Sequence, residues 1–353
     1  MSRAGEIARG LAVPVVATLL GLLVGTLFIL LAGADPVTAY QAFGHAVFGE
    51  PQMFGETLVS TIPLIFTGLA VALAFRCGLF NIGVEGQYLV GQLAAAWVGY
   101  RFVLPGVVHP AFAMLAAMAA GAVWAGIAGL LKAYRGVHEV INTIMLNYIG
   151  LYFTNWLLMA YLREPSGAAG AATPTVRPTA ALAQGLIQGS RLHAGLWIGL
   201  VAAAIVWFFL WKTAAGYEIR AVGLSPGAAE YAGINVAGNI VLAMALSGAL
   251  AGLSGGVQTL AIAGRFYEPS GFAGYGFDGI AVALVGRNHP FGVVLAALLF
   301  GALERGGPAM QAIAGVPKAV IYIVQGSVIF FVAAEGLWSF LKNRHTAKEV
   351  KEV

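Results

Sequence analysis

The chain of 353 residues has a single cysteine, Cys77, which excludes an intrachain disulfide and any cysteine-based metal cluster. Charge is also scarce. Asp, Glu, Lys and Arg make up 10% of the residues, against about 25% in a soluble domain. No G-x-x-x-x-G-K-[ST] occurs, so the chain has no P-loop for ATP. His138-Glu139-Val-Ile-Asn142 opens like a zinc-protease helix but has asparagine where the second histidine ligand belongs. Gly223–Gly227 and Gly252–Gly256 both match G-x-S-x-G, a pattern that arises readily among 48 glycines and here lacks its strand–turn–helix setting. All six histidines fall in loops or at the ends of apolar runs, which leaves an intramembrane serine protease without its base. Nothing resembles a dinucleotide or metal site.

Apolar residues are abundant. They make up 59% of the chain, and the mean hydropathy is +0.84, values only a polytopic membrane protein reaches. The net charge of +4 then reflects basic cytoplasmic loops rather than a nucleic-acid surface. Uncharged runs occupy 11–33, 57–75, 110–131, 140–161, 194–211 and 237–263; 88–104 is broken only by Arg101, and 319–341 contains Glu335. Two shorter pieces, 276–286 and 291–303, flank Arg287–Pro290, and the first reaches only about half of a 30 Å hydrocarbon core. These runs predict an all-α polytopic membrane protein of about ten transmembrane helices, some broken. The run 11–33 is expected as an uncleaved first span, although Ala32-Gly33-Ala34 imitates a cleavage site.

With both termini cytoplasmic, 12 of the 19 Lys and Arg residues fall inside, among them Arg76, Lys132, Arg135, Lys212, Arg220 and Arg287. The chain then reads as one transmembrane domain with halves at 1–161 and 194–341, an outer loop at 162–193 and an inner loop at 212–236. The outer loop, rich in Ala, Gly, Pro and Thr, reads either as an unstructured connector or as a docking surface for an external partner.

Arg76–Gln92 organises the rest. It places an arginine, a glutamate, an asparagine and two glutamines between apolar runs, with glycines at 78, 83, 86 and 91. A central charge in a span costs about 2.5–3.5 kcal/mol, so such groups persist where they face a bundle interior or a watery path. The stretch is either a cytoplasmic turn or an interrupted segment lining a transport path. A second Gly-rich break carries Asp278, and two breaks, each with an acidic residue, suggest an inverted repeat. Candidates for the polar path are Asn81, Glu85, Gln87, Asn142, Asn147 and Asp278, some of which serve only to hold helices together. Gly248, Gly252 and Gly256 share one helix face suited to close packing. In the inner loop Ser225 can N-cap a helix, Pro226 suits its first position, Ala228–Ala232 continues it and Gly233 ends it. About two turns are not stable alone, so this helix must pack on something.

Phe80-Asn-Ile-Gly-Val-Glu-Gly-Gln87 resembles the signature of ABC-importer permeases of the ribose and branched-chain amino-acid group, and most resembles their nucleoside subgroup, which works with basic-membrane-protein-type lipoproteins. The resemblance continues through Asn142–Tyr148, Tyr217–Gly256 and Gly276–Gly306. It implies a cell (inner) membrane permease forming the path for nucleosides or related small polar solutes. ATP and Mg would sit on separate ATPase subunits, with no cofactor on this chain. An extracytoplasmic binding protein and a second, different permease would complete the importer. Arg220–Ile234 is similar to the family's coupling helix, which implies that Arg220, Ser225, Pro226, Ala228, Ala229, Glu230, Tyr231 and Gly233 meet the ATPase. The alternative is an ion-coupled secondary transporter in which Glu85 and Asp278 are the coupling carboxylates and no ATPase is needed.

Overall fold

A backbone inside lipid must satisfy its own hydrogen bonds, so each long apolar run is expected to be helical. The structure is a computed structural model and describes residues 19–165 and 170–333. The beginning of the run 11–33, the end of 319–341, Glu335, both termini and residues 166–169 lie outside the described residues. The described helices are α1 Leu19–Leu31, α2 Pro36–Phe48, α3 Pro51–Arg76, α4 Val84–Arg101, α5 Val108–Arg135, α6 Glu139–Leu157, α7 Gly195–Lys212, α8 Ala214–Leu224, α9 Pro226–Tyr231, α10 Val236–Gln258, α11 Tyr275–Val285, α12 Pro290–Ala314 and α13 Lys318–Ala333. Short π-helical turns extend α6 over Leu158–Leu162 and α10 over Thr259–Ala263. Two isolated β-bridges occur among the described residues. Five helices (α3, α5, α7, α10 with its π-turn, and α12) are long and apolar enough to cross a membrane, so the protein is an all-α multi-pass membrane protein.

Three boundaries differ from the sequence reading. The piece expected at 291–303 is part of α12, a helix of 25 residues. Glu304 and Arg305 end the apolar run, but both are good helix formers, and the backbone continues through them and through Pro308. The helix α2 arises where none was expected. Asp35 caps it, its carboxylate accepting from the Val37 and Thr38 N–H groups at 3.1 and 3.0 Å, and Pro36 occupies the first position. The loop at 212–236 holds α8 as well as α9. Thr213 caps α8, its hydroxyl accepting from the Gly216 N–H at 3.1 Å.

The chain divides into two compact units, one of them Gly55–Gly301 and the other drawn from the chain on either side of it. In the latter, Ile29, Ala39, Met310, Val316, Val320 and Ile321 form the core, and Tyr40 donates its hydroxyl to the Leu22 carbonyl at 2.7 Å. In Gly55–Gly301 the centre is α10, packed chiefly on α5 and α4. Gly252 lies at that crossing, where a Cβ on Gly91 of α4 would come 2.5 Å from the Gly252 Cα and one on Gly121 of α5 would come 2.9 Å from it. Gly248 backs onto Gly121, and Gly256 onto Ala117. Only helices without side chains at these points approach so closely.

The described part of the loop at 162–193 is held down. The N–H groups of Thr173, Val176 and Leu182 donate to the carbonyls of Phe266, Gly264 and Leu260 at 2.8–3.0 Å. Arg191 pairs with Glu56 at 2.6 Å and Arg265 with Glu164 at 3.0 Å. Residues 170–193 are thus an ordered layer rather than an unstructured connector.

Candidate functional site

The first break begins where α3 ends. Gly78 takes a left-handed φ of +74°, and the Leu79 N–H returns to the Ala74 carbonyl at 3.1 Å, closing the helix. Residues 77–83 then run without helix until Val84 opens α4. Asn81 organises this segment. Its Oδ1 accepts from the Gly83 N–H at 2.9 Å, and its amide pairs with that of Gln87, with Nδ2 to Oε1 at 3.0 Å and Nε2 to Oδ1 at 3.1 Å. Asn81 Nδ2 also donates to Ser247 on α10 at 2.8 Å, and Ser247 donates to the Ala70 carbonyl at 2.6 Å. From α6, Asn147 accepts from the Gly86 N–H and donates to the Ile82 carbonyl, both at 2.8 Å. Asn142 donates to the Ala128 carbonyl at 3.2 Å, tying α6 to α5.

Glu85 joins the two breaks. It is fully buried, and its Oε1 accepts from the Gly276 N–H in the first turn of α11 at 2.7 Å. Gly274 precedes α11 with φ +95° and gives it no side-chain cap, so a carboxylate from α4 satisfies a helix N-terminus from outside. Gly276 has no room for a Cβ, which would lie 2.7 Å from the Glu85 nitrogen. Asp278 is separate. It sits exposed on the same first turn, and its carboxylate has no hydrogen bond among the described residues.

At the other end of α11, Arg76 donates to the Asn288 carbonyl at 2.9 Å, and Arg287 and Asn288 turn the chain with φ of 54° and 51°. The 11 residues of α11 therefore separate the end of α3 from the start of α4 by about 16 Å, half of a 30 Å core. The two breaks meet at the bond between Glu85 and the Gly276 N–H.

The loop at 212–236 contacts the start of the first break. A Cβ on Gly223, at the end of α8, would overlap the Arg76 carbonyl, and one on Gly78 would lie 3.4 Å from the Gly223 Cα. Arg220 donates to the Leu210 carbonyl at 2.9 Å, and its guanidinium and that of Arg76 lie 5.8 and 5.1 Å from the Trp211 ring centre. Ser225 caps α9 by accepting from the Ala228 N–H at 3.3 Å, Pro226 follows it, and Gly233 ends the turn at φ +81°. Ala229 is buried against its own chain at 4% exposure, whereas Leu224 and Tyr231 project at 88% and 97% and Ala228 and Glu230 are exposed. The sequence did not single out Ser247 or Leu224. Ser247 was hidden in a glycine-rich helix, and Leu224 looked like an ordinary apolar residue.

A bundle of apolar helices around two breaks joined by a buried carboxylate defines a polytopic membrane protein with the features of a transporter's core. The model for "Branched-chain amino acid transport system / permease component" matches residues 53–333, and the chain belongs to that permease family. It is 45% identical to the guanosine ABC transporter permease protein NupP of Bacillus subtilis, over 95% of this chain and 96% of that one. The nucleoside ABC transporter permease protein NupB of Lactococcus lactis is 36% identical, over 93% and 92%. The glucose ABC transporter permease protein TsgB13 of Haloferax volcanii is also 36% identical, over 90% and 86%. No solved structure matches.

Proposed function

We propose that this chain is the membrane permease of an ATP-driven importer and that it carries nucleosides. The observation that carries the substrate class is the 45% identity to a guanosine permease along nearly the whole of both chains. Glucose as the solute named for a relative at 36% keeps the chemistry within small, neutral, hydroxyl-rich molecules. ATP would bind and be hydrolysed on separate ATPase subunits. A second permease of different sequence would complete the membrane part, and an external binding protein would load it at the ordered layer of 170–193. About ten spans in two inverted halves, with both termini and 212–236 cytoplasmic, agree with the charge bias.

The coupling route follows from contacts. Leu224, Glu230 and Tyr231 offer an apolar and acidic tip to an ATPase groove, while Gly223, one residue before Leu224, touches the carbonyl of Arg76. A push on α8–α9 is delivered at the point where the first break begins. From there Asn81, Gln87, Asn147 and Glu85 transmit it to α11 as one hydrogen-bonded joint, opening the path past Asp278 to one side or the other. Tyr231→Glu places a charge in a desolvated contact, at a cost of about 2–4 kcal/mol. It should abolish uptake and release the ATPase on purification while membrane insertion stays normal. Undiminished uptake would remove α9 from the coupling contact.

The reading is tested by reconstituting the whole importer in proteoliposomes and following guanosine. Uptake should require ATP and survive collapse of the proton gradient. Uptake driven by the gradient without ATP would overturn it in favour of an ion-coupled carrier.

A further inference from the structure

We infer that the cleft lined by Tyr88, Gln92, Glu268, Ser270 and Phe272 is the outward-facing binding site for the transported solute, a nucleoside whose base lies against Phe272 and whose polar edge and sugar hydroxyls bond to Gln92, Ser270 and Glu268; this rests on the nucleoside reading above. The cleft has a volume of about 360 Å³, within the roughly 300–1,000 Å³ of small-molecule sites. Its floor is formed by Tyr88 and Leu89, one turn along α4 from Glu85, and its wall by the segment 268–273, which leads directly into the N-terminus of α11. A solute held there sits on the joint between the two breaks, and movement of that joint acts on it first.

Hydrogen-bonding capacity separates this cleft from the amide cluster of the first break. The amides of Asn81, Gln87 and Asn147 are paired with protein groups. Gln92 spends only one N–H, on the Tyr88 hydroxyl at 3.2 Å, and keeps its carbonyl and second N–H. The side chains of Glu268 and Ser270 are exposed and hold no hydrogen bond among the described residues. Phe272 is set edge-on to Tyr148 at 5.2 Å and to Phe277 at 6.0 Å, which fixes the plane it offers. Two other cavities are lined almost wholly by apolar side chains: one by residues including Val90, Leu93 and Phe153, the other by residues including Leu22, Phe43 and Leu303. There a hydroxyl-rich solute would forfeit its hydrogen bonds to water without replacement.

The test uses the complete importer with Cys77→Ser and Ser270→Cys, reacted with an impermeant maleimide. Guanosine delivered by the binding protein should slow labelling of that cysteine several-fold, glucose should not, and a control cysteine in place of Leu186 on the outer loop should label at the same rate throughout. Gln92→Ala checks the site without cysteine chemistry and decides the matter if the cysteine variant does not assemble. Losing one hydrogen bond should raise the KM for guanosine uptake roughly tenfold. Wild-type uptake is measured in parallel. If the wild type imports guanosine while labelling is unprotected and the Gln92→Ala KM is unchanged, the site is overturned and the nucleoside reading stands. If the wild type imports no nucleoside, both fall together.

Discussion

Two polar regions one or two helical turns apart are built on opposite rules. In the joint around Asn81, Glu85, Gln87 and Asn147, side chains are buried and their amides are paired with backbone or with one another. In the cleft above it, Gln92, Glu268 and Ser270 keep most of their capacity. A transport path needs both. Paired amides give a joint that moves as one piece, and unpaired groups in an open cleft hold a solute loosely enough to release it. The two carboxylates divide in the same way, with Glu85 closed onto the Gly276 N–H and Asp278 exposed on the same helical turn.

Mutations should therefore sort by region, and the largest effect belongs to the joint. Glu85→Leu removes the acceptor that caps α11 and leaves buried N–H groups unpaired, costing about 2–4 kcal/mol. Uptake should fall below detection, and the purified complex should melt several degrees lower. Asn147→Ala breaks two of the contacts that hold Gly86 and Ile82, for about 1–2 kcal/mol. Uptake should drop several-fold through kcat with KM little changed, since this residue does not line the cleft. The smallest effect is expected at Asp278→Asn, where an exposed carboxylate without a hydrogen bond among the described residues becomes an amide of the same shape. Uptake and thermal stability should stay within about twofold of wild type. If Asp278→Asn proves as damaging as Glu85→Leu, the contrast between spent and spare groups does not describe this protein.

Much of this architecture was legible in the sequence, for identifiable reasons. The stretch Arg76–Gln92 stood out because polar residues and glycines interrupt lipid-length apolar runs, and the structure places the break within it at 77–83. The helix α9 could be placed from Ser225, Pro226 and Gly233, since capping and turn chemistry act within a few residues. What depends on tertiary partners was not legible. Nothing in the sequence separates Gln87, whose amide is spent on Asn81, from Gln92, whose amide is largely free. Ala229 and Tyr231 lie two residues apart on a helix too short for periodicity to mark its buried face, yet one is 4% and the other 97% exposed. Ser247 sits among glycines and alanines, and its role appears only when α10 crosses the end of the first break. The long α12 was cut short because its apolar run ends at Glu304 although its helix does not.

The claim that the path works by shape and polarity, under ATP, rather than by a titrating charge is tested most directly at Glu85. Glu85→Gln keeps an oxygen to accept the Gly276 N–H and removes the charge, placing an NH2 where Oε2 makes no hydrogen bond. Guanosine uptake by that variant is measured with ATP maintained and the proton gradient collapsed. Retention of most wild-type uptake, indifferent to the gradient, is the predicted result. Abolished uptake in a complex that still assembles would contradict it, making the Glu85 charge itself essential.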